Sequence, residues 1–218
     1  MKTKALLLTL LLTMLALPAL ATEPVYGIKL GLHNPKATTT GLLFGFTAGS
    51  EIDERFDAGL GIDFFRKTYT ETTEIVDPNG GGQINPTIEV PDFESSVTMI
   101  PIMANVKFKI PMGSDFQYPL LPFVQLEGGY VLSWYGFTNY ETDEDESKFF
   151  GGWGLRFGVG AMYQIGSSSR VSLDVYYMSA KLSREDDNEE IGRPVITELD
   201  LSGVGIRLGL LFGGKKIE

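Results

Sequence analysis

From Phe150 to Ile165 the side chains alternate without a break between two chemical characters. Trp153, Leu155, Phe157, Val159, Ala161, Tyr163 and Ile165 fall on one face. Gly152, Gly154, Arg156, Gly158, Gly160, Met162 and Gln164 fall on the other. Successive side chains of a strand point to opposite sides, so a strict period of two predicts a strand with two unlike faces. In a soluble sheet the apolar face is the crowded core. Here the apolar face carries bulky residues with aromatics near the ends, while the opposite face is small or charged. That distribution fits a barrel turned inside out, with lipid outside and packed polar groups within.

The same alternation recurs near residues 25–33, 39–49, 55–69, 96–110, 121–137, 170–183 and 199–212. Each apolar stretch approaches the ~9–11 residues that cross a bilayer as a tilted strand. Eight is an even number, as bacterial single-chain barrels require. Pro101 interrupts the fourth run, and a proline withholds one ladder hydrogen bond, so a bulge or irregularity is expected there. Connections 50–54, 111–119 and 166–169 are short. Connections 70–95, 138–149 and 184–198 are long and polar, and the first, 33–38, is short. Short periplasmic turns and long external loops would give this pattern, with both termini on the periplasmic side. Tyr26, Phe46, Tyr69, Phe108, Trp134, Trp153, Tyr163 and Phe212 sit near strand ends, where aromatic girdles belong. The predicted fold is all-β: an eight-stranded antiparallel up-and-down transmembrane β-barrel.

The beginning of the chain sets the compartment. Lys2 and Lys4 precede an apolar run from Ala5 to Leu17, and Ala19-Leu20-Ala21 has the small-x-small form of a cleavage site. Residues 1–21 are therefore expected to be a cleaved signal peptide, and 22–218 one barrel domain. No later segment offers the ~20 apolar residues of a transmembrane helix. A membrane-spanning mature chain must then close its backbone hydrogen bonds in a barrel. The chain has no cysteine, which excludes lipoprotein anchoring, disulfides and thiolate metal sites. Its net charge of −10 becomes −12 once Lys2 and Lys4 leave with the signal peptide, which argues against a nucleic-acid partner.

The segments IPIMANVKFKIP (from Ile100), PFVQLEGGYVLSW (from Pro122), GLRFGVGAMYQI (from Gly154) and GVGIRLGLLF (from Gly203) resemble the small eight-stranded outer-membrane barrels. That superfamily includes OmpX, OmpW and the OmpA membrane domain. The resemblance is one of texture over the whole mature chain. It implies a location in the bacterial outer membrane and contact with outer-membrane lipid and lipopolysaccharide. It also implies recognition by the outer-membrane assembly machinery through the last strand, which ends at Phe212. The chain departs from proteins that end on that aromatic by carrying residues 213–218 after it.

Three constellations are candidates for function. His33, the only histidine, falls at the predicted external end of the first strand. A histidine there could act as a general base in a lipid-modifying acyl enzyme, with Ser95, Ser96, Asp92 or Glu94 on a neighbouring loop. The plainer reading is a solvated loop residue. The long connections concentrate acid, including Glu71, Glu74, Glu89, Asp143, Asp145, Asp186 and Asp187. None has the spacing of an EF-hand loop, so a hydrated, repulsive surface is the simpler reading than divalent-cation binding. Residues 77–82 (DPNGGG) lack the Lys-Ser/Thr of a phosphate loop.

The third set is more specific. Lys29, Asp57, Asp63, Lys107, Lys109, Glu127, Arg156, Asp174 and Arg207 all fall on inward faces, with mixed signs. Eight strands leave an interior just wide enough for side chains to fill. A charge network centred on Glu127 and Arg156 is expected to close the lumen, joined by Asp174 and Arg207, with Lys29 across the interior. Counting back from the 166–169 turn puts Arg156 opposite a residue near Ser179. The expected protein is a monomeric, non-enzymatic barrel without a cofactor, serving envelope integrity or surface interaction. A channel for a small solute or hydrophobic molecule is the alternative, followed by the acyl enzyme. A secreted lipocalin-like barrel is the last, and it would need the alternation inverted.

Overall fold

A computed structural model describes residues 23–76, 87–111, 120–140, 142, 144–166, 168–184 and 198–214. The expected signal peptide, the DPNGGG segment and the acidic stretch 185–197 lie outside the described residues. The strands are β1 (Pro24–Pro35), β2 (Gly41–Glu51), β3 (Phe56–Val76), β4 (Thr87–Lys109), β5 (Leu120–Asn139), β6 (Glu144–Gln164), β7 (Ser169–Ser183), β8 (Glu198–Asp200) and β9 (Gly203–Gly213). Each pairs antiparallel with its neighbours, and β9 pairs with both β7 and β1. That last pairing closes the sheet and leaves no edge at membrane level, as a lipid environment demands. β8 and β9 together form the eighth stave.

The alternation sorts as expected. Tyr26, Ile28, Leu30, Phe44, Phe46, Leu155, Phe157, Leu173, Val175, Ile206 and Leu208 are exposed on the outside. Inward glycines let large partners fit. A Cβ on Gly45 would stand 2.0 Å from Asp63 Oδ1, and one on Gly205 would stand 2.3 Å from the Tyr176 ring.

Three features depart from expectation. β3 and β4 run on to Val76 and from Thr87, and β6 begins at Glu144, so much of 70–95 and 138–149 is strand. Thr70, Thr72, Thr73, Ile75 and Val76 read as polar or mixed by composition, but β-branched residues favour the extended backbone. β2 last pairs with β3 at Leu42↔Arg66, and β7 last pairs with β6 at Ser183↔Gly151. Beyond those rungs β3–β6 rise as a four-stranded wall above the rest of the rim.

The irregularity expected at Pro101 is present, as a gap in the ladder and not as a bulge. The β3–β4 register is the same on either side of it, from Ile62↔Ile102 to Phe65↔Met99, although the ladder skips Asp63 and Phe64. The register shifts instead between Glu71 and Thr72. The eighth stave is split at Leu201 and Ser202, where the Ser202 hydroxyl accepts the Ala180 N–H and the Ser202 N–H donates to Asp200 Oδ1, each at 3.0 Å. Finally, Arg156 lies opposite Met178, not Ser179. Residues directly across an antiparallel pair share a face, so an outward residue such as Ser179 cannot oppose an inward arginine.

Candidate functional site in the barrel lumen

The antiparallel registers set the first pairs. Glu127 of β5 faces Arg156 of β6, and Asp174 of β7 faces Arg207 of β9. Arg156 Nη1 donates to Glu127 Oε2 at 2.5 Å and to Asp63 Oδ2 at 2.6 Å. Arg207 Nη2 donates to Glu127 Oε1 at 2.9 Å, and its Nε to Asp174 Oδ2 at 3.0 Å. Lys29 reaches Asp63 at 3.5 Å, and Gln125 Nε2 donates to Asp174 Oδ2 at 3.0 Å. Both guanidinium groups also lie over the Tyr176 ring, 4.7 Å (Arg156) and 4.6 Å (Arg207) from its centroid. Arg156, Arg207, Asp63, Glu127 and Asp174 are each 5% exposed or less. Isolated ions at that depth would each cost several kcal/mol, so the shared, charge-assisted hydrogen bonds are what makes their burial tolerable.

A second cluster sits at the end of the barrel that holds the start of β1 and the end of β9, the end expected to face the periplasm. Lys109 pairs with Glu51 and, at 2.8 Å, with Asp57. Arg170 Nη2 donates to the Gly213 carbonyl at 3.0 Å and lies 3.6 Å from Glu51. Gly213 and Gly214 have φ of +90° and +76°, a left-handed turn that brings the end of β9 over Arg170. This cluster ties together the β2–β3 turn, the start of β7 and the turn that follows β9.

The nine inward charges thus do not form one network. Asp57 and Lys109 belong to the periplasmic cluster, because they stand several rungs below Asp63 and Glu127. Lys107 joins neither through an ion pair among the described residues. Its ammonium lies 4.4 Å from the Phe123 ring centroid and 4.0 Å from Met162 Sδ. Asp174 contacts Arg207 and not Arg156, whose second carboxylate is Asp63 across the interior. Glu51 and Arg170 were missed by sequence reasoning because they fall at strand ends; Gln125 was inward by parity but, being uncharged, was not counted with the network.

Toward the extracellular side the interior is apolar. Leu43, Phe65, Met99, Phe150, Met178 and Leu182 are fully buried there, packed with Met103, Val131 and Tyr176. The period of two places all of them inward, so their signal was present in the sequence. His33 lies between this layer and the charges. It is 0% exposed, stacks on Tyr176 at 5.6 Å and meets the edge of Phe65 at 5.8 Å. Its Nε2 lies 3.3 Å from the Leu201 carbonyl oxygen. It is therefore not a solvated loop residue; it shares the inward parity of Lys29 and Gly31. Its strand pairs with β2 and β9, whereas Ser95 and Ser96 pair with Tyr69 and Thr68 of β3, so these residues are not brought together as a catalytic set.

The model of the outer membrane protein beta-barrel domain matches residues 7–212. The chain belongs to that family. Its place is accordingly the bacterial outer membrane. Among solved structures, the chain is similar to a major outer membrane protein from Thermus thermophilus, with 17% identity over 88% of this chain and 98% of that one and a TM-score of 0.56. It is also similar to OprG from Pseudomonas aeruginosa, with 12% identity, 90% and 97% coverage and a TM-score of 0.53. The Neisserial surface protein NspA gives 11% identity, 87% and 95% coverage and a TM-score of 0.51. At these identities the likeness is one of fold. No curated protein matches the chain.

Proposed function

We propose that this outer-membrane barrel has a filled, non-conducting lumen and serves a structural or surface-interaction role through its acidic external hairpins. The observation that carries the reading is the stack of buried side chains along the axis. The Lys109–Glu51–Asp57 cluster, the Arg156–Arg207–Glu127 cluster and the Phe65–Met99–Phe150–Met178 layer occupy successive levels of an eight-stranded interior. An interior of that width has little room left once such side chains are packed in it. The raised β3–β6 wall carries the sequence's acidic hairpins above the membrane, which supports contact with something outside the cell. His33, enclosed by Phe65, Tyr176 and Leu201, supports no acyl-transfer role, and the reading is non-enzymatic.

Reconstitution into planar bilayers tests the plug. The unmodified protein should show no steady single-channel current. Regular current steps at neutral pH would replace this reading with its alternative, a narrow conduit for a small solute or hydrophobic molecule. The reading also carries cleavage after Ala21, a monomeric state and engagement of the assembly machinery by the strand ending at Phe212. The intact mass of the envelope protein should begin at Thr22, and retention of Lys2 and Lys4 would refute the cleavage.

A further inference from the structure

The outer wall of the barrel carries a groove whose lining is not simply apolar. Gly128 of β5, Leu155 of β6 and Ser179 of β7 stand side by side on one rung. One rung nearer the extracellular end, Tyr130 faces Trp153, and the pairs Gly151↔Ser183 and Gly154↔Ala180 put Trp153 level with Lys181. Gly128, Trp153, Leu155, Ser179 and Lys181 line a groove of about 530 Å³. Two features make it a depression. Gly128 contributes no side chain, and Ser179 is the first small residue above Val175 and Tyr177 on the outer face of β7. Trp153 stands out at its rim, braced edge-on by Tyr130 at 5.8 Å, and is 78% exposed, more than any other large apolar side chain among the described residues.

The charge at this rim is unbalanced. Lys181 is exposed and pairs in register with Asp200. The Asp200 carboxylate is turned to other partners: Lys36 at 3.5 Å and the Ser202 N–H at 3.0 Å. Among the described residues no carboxylate lies within ion-pair distance of the Lys181 ammonium. A cation at the edge of hydrocarbon, beside a tryptophan and above an apolar depression, matches the two halves of an anionic lipid.

We propose that this groove binds an anionic lipid of the outer leaflet, with an acyl chain lying against Leu155, which stands between the small residues Gly128 and Ser179, and the phosphate on Lys181. Trp153 covers the glycerol or sugar level between them. A lysine at a membrane surface gains about 1 kcal/mol from anionic lipid, so local enrichment over bulk is about five-fold.

Trp153 reports its own neighbours. In the W134F variant it is the only tryptophan of the chain, which has two. The variant is reconstituted in vesicles of phosphatidylcholine with phosphatidylglycerol, with bromine on the acyl chains of one lipid or the other. Quenching should exceed the bulk fraction when phosphatidylglycerol is brominated and fall below it when phosphatidylcholine is. Lys181→Gln should return both to the bulk ratio, and Lys181→Arg should keep the preference. Gly128→Leu fills the groove, because a Cβ there meets only Leu155 Cδ2, at 3.2 Å, and should weaken the preference. Heat-modified gel mobility checks that each variant is folded, and inorganic phosphate should not compete. Quenching that follows bulk composition in W134F overturns the proposal, as does a preference that survives Lys181→Gln or is lost to inorganic phosphate.

Discussion

Two ion clusters stand inside the same barrel and are built differently. The central one shares two guanidinium groups among three carboxylates drawn from β3, β5 and β7, with Lys29 from β1 behind Asp63. The periplasmic one sets a single ammonium between Glu51 and Asp57, with Arg170 spanning Glu51 and a backbone carbonyl. Asp57 keeps 13% of its side chain exposed, against 2% for Asp63. The central cluster spans the interior and has apolar side chains above it; the other sits at an open end, where water can replace a lost partner. Planar, bidentate arginine suits the first task, because each fork can serve two carboxylates at once. A point-charge lysine suffices for the second. Position along the axis, more than the number of bonds, should decide what each cluster is worth.

Arg156→Met is the sharpest way to expose that difference. It leaves Glu127 with Arg207 alone and Asp63 with Lys29 at 3.5 Å and Arg207 at 3.8 Å, so each buried carboxylate loses its shortest ion pair. The expected loss is about 3–5 kcal/mol by urea unfolding in lipid. Glu127→Gln combined with Arg156→Met should cost clearly less than the sum of the two single changes. Strict additivity in that double-mutant cycle would show that the two groups are not coupled, and the comparison would fail at its first step.

The apolar layer above the central cluster should be nearly as sensitive, because it keeps water from the ions. Met178 is fully buried, and its sulfur lies 3.6 Å from Arg156 Nη2. Met178→Ala should cost about 2–4 kcal/mol, a transfer loss plus a cavity. If the cavity also hydrates the charges, hydrogen exchange in the middle of β6 should quicken in this variant. A stability change below about 1 kcal/mol would mean that the layer packs loosely and does not seal the cluster.

How much of this could be read beforehand follows from what a period of two encodes. Parity assigns a face, so the inward placement of Glu127, Arg156, Asp174, Arg207 and even His33 was available from the residues alone. The pairing of Glu127 with Arg156 followed because neighbouring strands brought them to one level. Height is not encoded in parity. Strand tilt decides that Asp63 of β3 comes level with Arg156 of β6 while Asp57, on the same face of the same strand, drops to the periplasmic end. The raised wall was hidden for a different reason: threonine counts as polar in a composition argument and as a strand former in a backbone one. The split at Leu201 and Ser202 depends on a serine side chain taking over a ladder bond, which no periodicity announces.

Lys109→Met tests the other side of the comparison and should have the smallest effect. Lys109 is itself fully buried, and a burial argument alone would put its loss on a par with that of Arg156. The difference lies in what is left behind. Glu51 retains Arg170 at 3.6 Å, and Asp57, at the end of the barrel, can be rehydrated. The expected loss is about 1–2 kcal/mol, between the values for exposed and enclosed pairs. Water that reaches Asp57 brings salt with it, so this loss should shrink as ionic strength rises, while that of Arg156→Met should barely change. Unfolding both variants across a salt series separates the cases. Equal losses with equal salt dependence would show that the periplasmic end is as tightly closed as the centre, and that the two clusters are one seal built twice.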